Sequence, residues 1–124
     1  MEIVKPDIAV EENISPVAII LPTYNEAGNI EKLISTIETL KINSMILVID
    51  DSSPDETATI VKKLQQNYKN ISLLNRPSKM GLGTAIRDGF NFILSLPKQP
   101  KYIITMDADF SHNPWDIQRL FQHA

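Results

Sequence analysis

Two aspartates one residue apart close an apolar run near the end of this sequence: "YIITMDADFSHNP" passes from residues 102–106 straight into Asp107, Ala108 and Asp109. In extended backbone, side chains two apart point to the same side, so both carboxylates can face one pocket while Ala108 leaves space for a ligand. Two hard oxygen donors suit Mg2+ or Mn2+, above all where a diphosphate completes the coordination. Asp is also frequent where strands end and cap the following turn, and for an isolated Asp-x-Asp that plain structural role is the commoner one.

Three further clusters have the same double character. Asp50 and Asp51 end the run "MILVIDD". Adjacent strand residues point to opposite faces, so one carboxylate should reach a ligand, where it accepts hydrogen bonds from a ribose or a base, while the other fixes the loop. The same "DDSSPDE" is equally a good turn sequence. "PTYNEAGN" holds Tyr24, Asn25 and Glu26 where a base could be stacked or hydrogen-bonded, though alone it reads more simply as a half-buried tyrosine before a helix start. "RPSKMGLGTA" sets Arg76 and Lys79 ahead of Gly81, Gly83 and a helix N-terminus. Amides, helix dipole and a cation together favour an anion such as phosphate, and the two glycines also serve a turn. His112, His123 and Trp115 receive no functional role: a polar loop residue, a residue of the last helix and a packing residue account for them.

The elements that must carry these clusters alternate strictly. "VAIILP" reads as a strand buried on both faces and ended by Pro22. Ile30, Leu33, Ile34, Ile37 and Leu40 fall at helical spacing over roughly 27–40. "SMILVID" is a second strand, Ile60, Val61, Leu64 and Tyr68 stripe a second helix, and "ISLLN" is a third strand. A helix over about 84–96 is expected to face Ile86, Phe90, Ile93 and Leu94 inward, with Pro97 and Pro100 at its exit. "KYIITMD" is the fourth strand. "NPWDIQRLFQHA" begins a last helix, with Asn113 as N-cap, Pro114 at N1 and Ile117, Leu120 and Phe121 as its buried stripe. This alternation predicts an α/β, Rossmann-like, mainly parallel sheet with helices on both faces. All four clusters sit at the carboxyl ends of its strands, where such sheets bind ligands.

Composition narrows the function. The 124 residues, 43% of them hydrophobic, fit one compact domain preceded by a leader over 1–16 that is expected to be mobile. Twelve basic against fifteen acidic residues give a formal charge of -3, without the basic excess that favours nucleic acid. There is no cysteine, hence neither a disulfide framework nor a thiolate metal site. No apolar run approaches the roughly 20 residues needed to span a bilayer.

Together, "LPTYNEAGNI", "VIDDSSPDET", "RPSKMGLGTAIRDG" and "MDADFSHNP" resemble, in order and placement, the nucleotide-sugar-binding part of inverting glycosyltransferases of the GT-A fold. The resemblance is closest to the dolichol-phosphate, or polyprenyl-phosphate, mannosyltransferases, and covers about 17–114. It implies a fold of GT-A type and nucleotide contacts from Pro22, Tyr24, Glu26, Ile49 and Asp51. It also implies that Asp107, Ala108 and Asp109 meet the sugar diphosphate and its Mg2+ or Mn2+ ion, with Asp107 and Asp109 as metal ligands and Lys79 near the donor. No residue is assigned as catalytic. The implied donor is a nucleotide sugar, GDP-mannose ahead of UDP-glucose. The implied acceptor is a polyprenyl phosphate at a membrane surface, for a cytoplasmic protein peripheral to that membrane. The family pattern commonly has Gly where this chain has Ser52 and Glu56. Family domains extend well past the aspartate motif, so the chain is expected to be truncated at its C-terminus, to hold the donor and metal half over 17–124, and to transfer sugar poorly by itself. An open edge there is expected to favour self-association or a partner subunit.

Other classes fit less well. A dinucleotide dehydrogenase lacks its close glycines after the first strand here. A phosphoacceptor receiver module wants its acidic pair after the first strand and a lysine after the phosphorylated aspartate. A noncatalytic nucleotide-sugar-binding fragment or assembly subunit keeps the same pocket and stays open.

Overall fold

The computed structural model describes residues 2–4, 17–117 and 119. Its elements are β1 (Glu2–Val4), β2 (Val17–Thr23), α1 (Ile30–Thr39), β3 (Ser44–Asp50), α2 (Thr57–Asn67), β4 (Ile71–Asn75), α3 (Leu82–Leu94) and β5 (Tyr102–Thr105). They form one sheet of order β1-β5-β2-β3-β4. The last four are parallel, with Ile20 opposite Leu47 on one side and opposite Thr105 on the other. Glu2–Val4, placed within the leader by sequence, instead adds an antiparallel edge strand along β5. The rest of that leader, and Leu120, Phe121 and His123 of the expected last helix, lie outside the described residues.

The central strands are apolar without a break because helices cover both faces. Val17, Ile19, Leu21, Ile46 and Val48 pack with Ile30, Leu33, Ile34 and Ile37 of α1 and Val61 and Leu64 of α2. The alternate residues Ala18, Ile20, Leu47 and Ile49 pack with Ala85 and Ile93 of α3 on the other face. Each fully buried Ile or Leu contributes roughly 1.5–3 kcal/mol, and the period-two alternation fixes which face it serves.

The inward face of α3 differs from the expected one. Ala85, Gly89 and Ile93 are its buried residues, whereas Ile86 and Phe90 are half-buried and Leu94 is exposed. The reason is close approach: a Cβ at position 89 would stand 2.8 Å from Ile49 Cδ1 and 3.0 Å from Ile20 Cδ1. Small residues at 85 and 89, four apart and hence on one face, let the helix settle onto the sheet. Larger side chains at those positions would hold it off.

Chain order runs outward from β2 to β3 to β4, then returns to β5 on the other side of β2. That reversal opens a crevice above the carboxyl ends of β2 and β5, the place where open α/β sheets bind ligands.

The two positions where the resemblance implies glycine, 52 and 56, have a distinctive backbone. Ser52 (φ 51°) and Glu56 (φ 68°) both adopt the left-handed conformation, which costs an L-residue about 1–2 kcal/mol. Ser52 recovers part of this by donating its hydroxyl to the Arg76 carbonyl. Glu56 is exposed and its side chain makes no capping bond to α2. Glu56→Gly is therefore expected to stabilise the protein by about 0.5–1 kcal/mol, after allowing for glycine's freer unfolded chain. Ser52→Gly, which also loses a hydrogen bond, should gain much less. Urea unfolding of the two variants checks the contrast.

Candidate donor and metal site

The loops after β2, β3 and β4 meet above the sheet, and their main-chain groups are clipped together by side chains. Asn25 N–H donates to Ser53 Oγ (2.9 Å), Glu26 N–H to Thr57 Oγ1 (3.0 Å) and Ala27 N–H to Asp55 Oδ2 (3.0 Å). The other oxygen of Asp55 accepts the Thr57 amide and hydroxyl. Burial pushes the Asp55 carboxyl up, but these donors, the Thr57 hydroxyl foremost, outweigh it and hold the group below its ordinary value. "DDSSPDET" is thus a turn sequence that also braces the neighbouring loop.

The adjacent acids divide the work. Asp50 is wholly buried and accepts the Thr23 hydroxyl (2.7 Å), the Ser53 hydroxyl (2.6 Å) and the Ser53 amide (3.0 Å). It fixes the loop. Asp51 turns to the other side and lines a cavity of about 180 Å³ together with Pro22, Thr23, Tyr24, Lys79, Gly81, Leu82 and Ala85.

Arg76, expected to offer its charge to an anion, is instead committed to the protein. It is 4% exposed and binds Asp51 through Nε (2.5 Å) and Nη2 (2.8 Å), and Asp88 through Nη1 (3.1 Å). Two carboxylates neutralise it, because a guanidinium at that depth needs paired acceptors. Burial would raise the Asp51 carboxyl, yet the Arg76 hydrogen bonds, the Met80 amide and the Arg76 charge together lower it. The cation left at the rim is Lys79, exposed, with Nζ 4.4 Å above the centroid of the Tyr24 ring.

Other residues singled out by sequence stand outside the cavity lining. Glu26 accepts the Asn29 side-chain amide at 3.0 Å. Ile49 is wholly buried under α3, against position 89. Ala108 is 3% exposed and packs into the core on the α1 and α2 face. Its methyl fills core and does not leave ligand space, since the chain has left β5 at Thr105 and turns at 108–109.

Those two aspartates follow β5, beside β2. Ser111 stands between them, its hydroxyl 3.3 Å from Asp107 Oδ2 and its amide donating to Asp109 Oδ1 at 2.9 Å. Hydrogen bonding from Ser111, hydroxyl and then amide, holds the Asp109 carboxyl below its ordinary value. His112 Nδ1 accepts the Asp107 amide at 3.2 Å, which fixes the imidazole as an acceptor on that nitrogen. Among the described residues no three or more His, Asp or Glu side chains are grouped to hold a metal ion. The donor set is therefore two exposed or half-exposed carboxylates. It fits a hard cation that takes its other oxygens from water or a phosphate, as Mg2+ and Mn2+ do, and does not fit a dedicated all-protein cage. No described helix is long and apolar enough to cross a membrane.

Fold and site together define a mainly parallel α/β domain with a cavity at the carboxyl ends of its strands and an aspartate pair after β5. The chain belongs to glycosyl transferase family 2, whose family model matches residues 18–124. Curated relatives include an uncharacterized protein of Methanocaldococcus jannaschii, 38% identical over 83% of this chain and 44% of its own length. Polyprenol monophosphomannose synthase of Mycolicibacterium smegmatis is 35% identical over 82% of this chain and 38% of its own. Dolichol-phosphate mannosyltransferase of Pyrococcus furiosus is 34% identical over 86% and 29%. The chain thus spans less than half the length of these relatives. Among solved structures, the fold matches a mannosyltransferase from Pyrobaculum calidifontis in complex with GDP-Man and Mn2+, with TM-score 0.65 and 24% identity over 85% of this chain and 31% of that one. The expected GT-A fold is the observed one.

Proposed function

We propose that this chain is the donor-binding part of a glycosyltransferase that moves mannose from GDP-mannose to a polyprenyl phosphate at a membrane surface, with inversion at the anomeric carbon. The observation that carries the reading is the placement of Asp51, Tyr24 and Lys79 around one cavity at the carboxyl ends of β2 and β3, with Asp107 and Asp109 following β5 on the other side of β2. The names of the two mannosyl-transferring relatives support the donor and acceptor.

In this reading the nucleoside lies in the cavity, its hydroxyl or base N–H groups donating to Asp51 and its ring beside Tyr24. The diphosphate extends past Lys79 and the N-terminus of α3, where a cation and free amides favour negative charge. Asp107 and Asp109 would hold the divalent ion, which when bound offsets the charge gathering on the departing nucleoside diphosphate. An acceptor phosphate is already anionic at neutral pH, so its oxygen attacks from the opposite face of the sugar without needing a strong base.

Calorimetric titration of the 124-residue chain with GDP-mannose and with UDP-glucose, each in Mn2+, tests this. Tighter binding of GDP-mannose is expected. Preference for UDP-glucose would reassign the donor, and binding of neither would remove the function.

A further inference from the structure

We propose that Arg76 is the positioning residue of the nucleotide cavity: its guanidinium fork holds Asp51 and the glycine turn in the arrangement that presents Asp51 to the ligand. The inference rests on the functional reading above and adds to it a residue that touches no ligand, since Arg76 does not line the cavity.

Donor accounting is the basis. A guanidinium has five N–H groups, and here each has a partner. Nε donates to Asp51 Oδ1, and Nη2 to Asp51 Oδ2 and to the Gly81 carbonyl (3.0 Å). Nη1 donates to Thr84 Oγ1 (2.9 Å) and to Asp88 Oδ2 (3.1 Å). One side chain therefore joins the end of β3, the turn at Gly81 and two successive turns of α3. Gly81 and Asp51 are both walls of the cavity, so the spacing across it is set by this fork.

The acceptor count gives the consequence. A carboxylate offers roughly four lone-pair sites. Arg76 takes one on each Asp51 oxygen, and the Met80 amide takes a second on Oδ2 at 3.0 Å. The Gly81 amide also bonds this carboxylate, so Arg76, Met80 and Gly81 together occupy most of its acceptor capacity. Arg76, which grips both oxygens, thus sets the direction in which Asp51 faces the cavity. Lysine could supply the charge, but its three donors on a single nitrogen cannot span Asp51, Gly81 and Asp88 together. Charge and fork are separable by experiment, which distinguishes a positioning role from a merely structural one.

The test compares Arg76→Lys, Arg76→Met and Asp88→Asn in the 124-residue chain. Three quantities are read: urea midpoint, GDP affinity by calorimetry, and Met80 amide hydrogen exchange without ligand. Arg76→Lys is expected to recover most of the stability that Arg76→Met loses. It should still bind GDP at least about tenfold more weakly than wild type, the scale of one lost charged hydrogen bond. Its Met80 amide should lose protection while amides of β2 and β3 keep theirs. Asp88→Asn, which spares the pair with Asp51, should weaken GDP by only a few-fold. GDP affinity in Arg76→Lys within about twofold of wild type would overturn the proposal. If wild type binds no GDP, the donor-site reading fails, and the exchange arm still decides: unchanged Met80 protection in Arg76→Lys overturns the fork, and selective loss upholds it.

Discussion

Arg76→Met lowers the free energy of unfolding by about 3–5 kcal/mol, because it strips the partner from a largely buried carboxylate. The Arg76 and Asp51 side chains are only 4% and 8% exposed. Surface ion pairs contribute about 0–1 kcal/mol and are screened by salt, whereas a buried carboxylate left alone retains its desolvation cost. Against a total stability of roughly 5–15 kcal/mol for a domain, the loss is large. The check is a urea midpoint that falls while the slope stays constant. A loss below about 1 kcal/mol would mean that the pair is effectively solvated. Replacing both partners, in Arg76→Met with Asp51→Leu, should destabilise less than the sum of the single changes, since Asp88, the other carboxylate paired with Arg76, is 31% exposed and keeps contact with water.

Gly89→Val is expected to cost about 3 kcal/mol by overpacking the seam between α3 and the sheet. Its Cβ alone would meet Ile49 Cδ1 at 2.8 Å and Ile20 Cγ2 at 3.1 Å, and both isoleucines are wholly buried. Gly89→Ala gains about 1 kcal/mol of helix propensity, which offsets part of the same clash, so its net loss should be near 1 kcal/mol. Gly83, near the start of the same helix, has nothing within 4 Å of a built Cβ. Gly83→Ala should therefore be neutral or slightly stabilising. Thermal melts of the three variants separate a steric cost from a backbone one.

The contrast between these two glycines shows where sequence was sufficient and where it was not. Period-two and period-3.6 patterns reveal which residues are apolar and where elements begin. They located β2 to β5, α1, α2, α3 and the buried stripe of α1. They do not reveal interlayer distance, so Ile86 and Phe90 looked like the core of α3 when Ala85 and Gly89 are. Glu2–Val4 was missed because three residues carry no readable period. Its pairing with β5 comes from tertiary context.

At the site, the division between Asp50 and Asp51 follows from strand geometry alone, since neighbours on a strand must face opposite ways. Arg76 was visible as a cation near a glycine turn, but its commitment to Asp51 and Asp88 depends on partners 25 and 12 residues away. No local pattern encodes those. The burial of Ala108 was not legible, because the strand ends at Thr105 and residues 108–109 form a turn that the apolar run does not announce.

The most direct test of the central claim is binding of GDP-mannose to the wild-type chain and to Asp109→Ala, each titrated with Mn2+ and with EDTA. The account predicts that Mn2+ tightens binding to wild type by at least about tenfold and leaves Asp109→Ala unchanged, as removal of one of two protein ligands requires. Equal tightening in the variant, or no effect of Mn2+ on wild type, would contradict the assignment of the aspartate pair as the metal-holding half of a donor site.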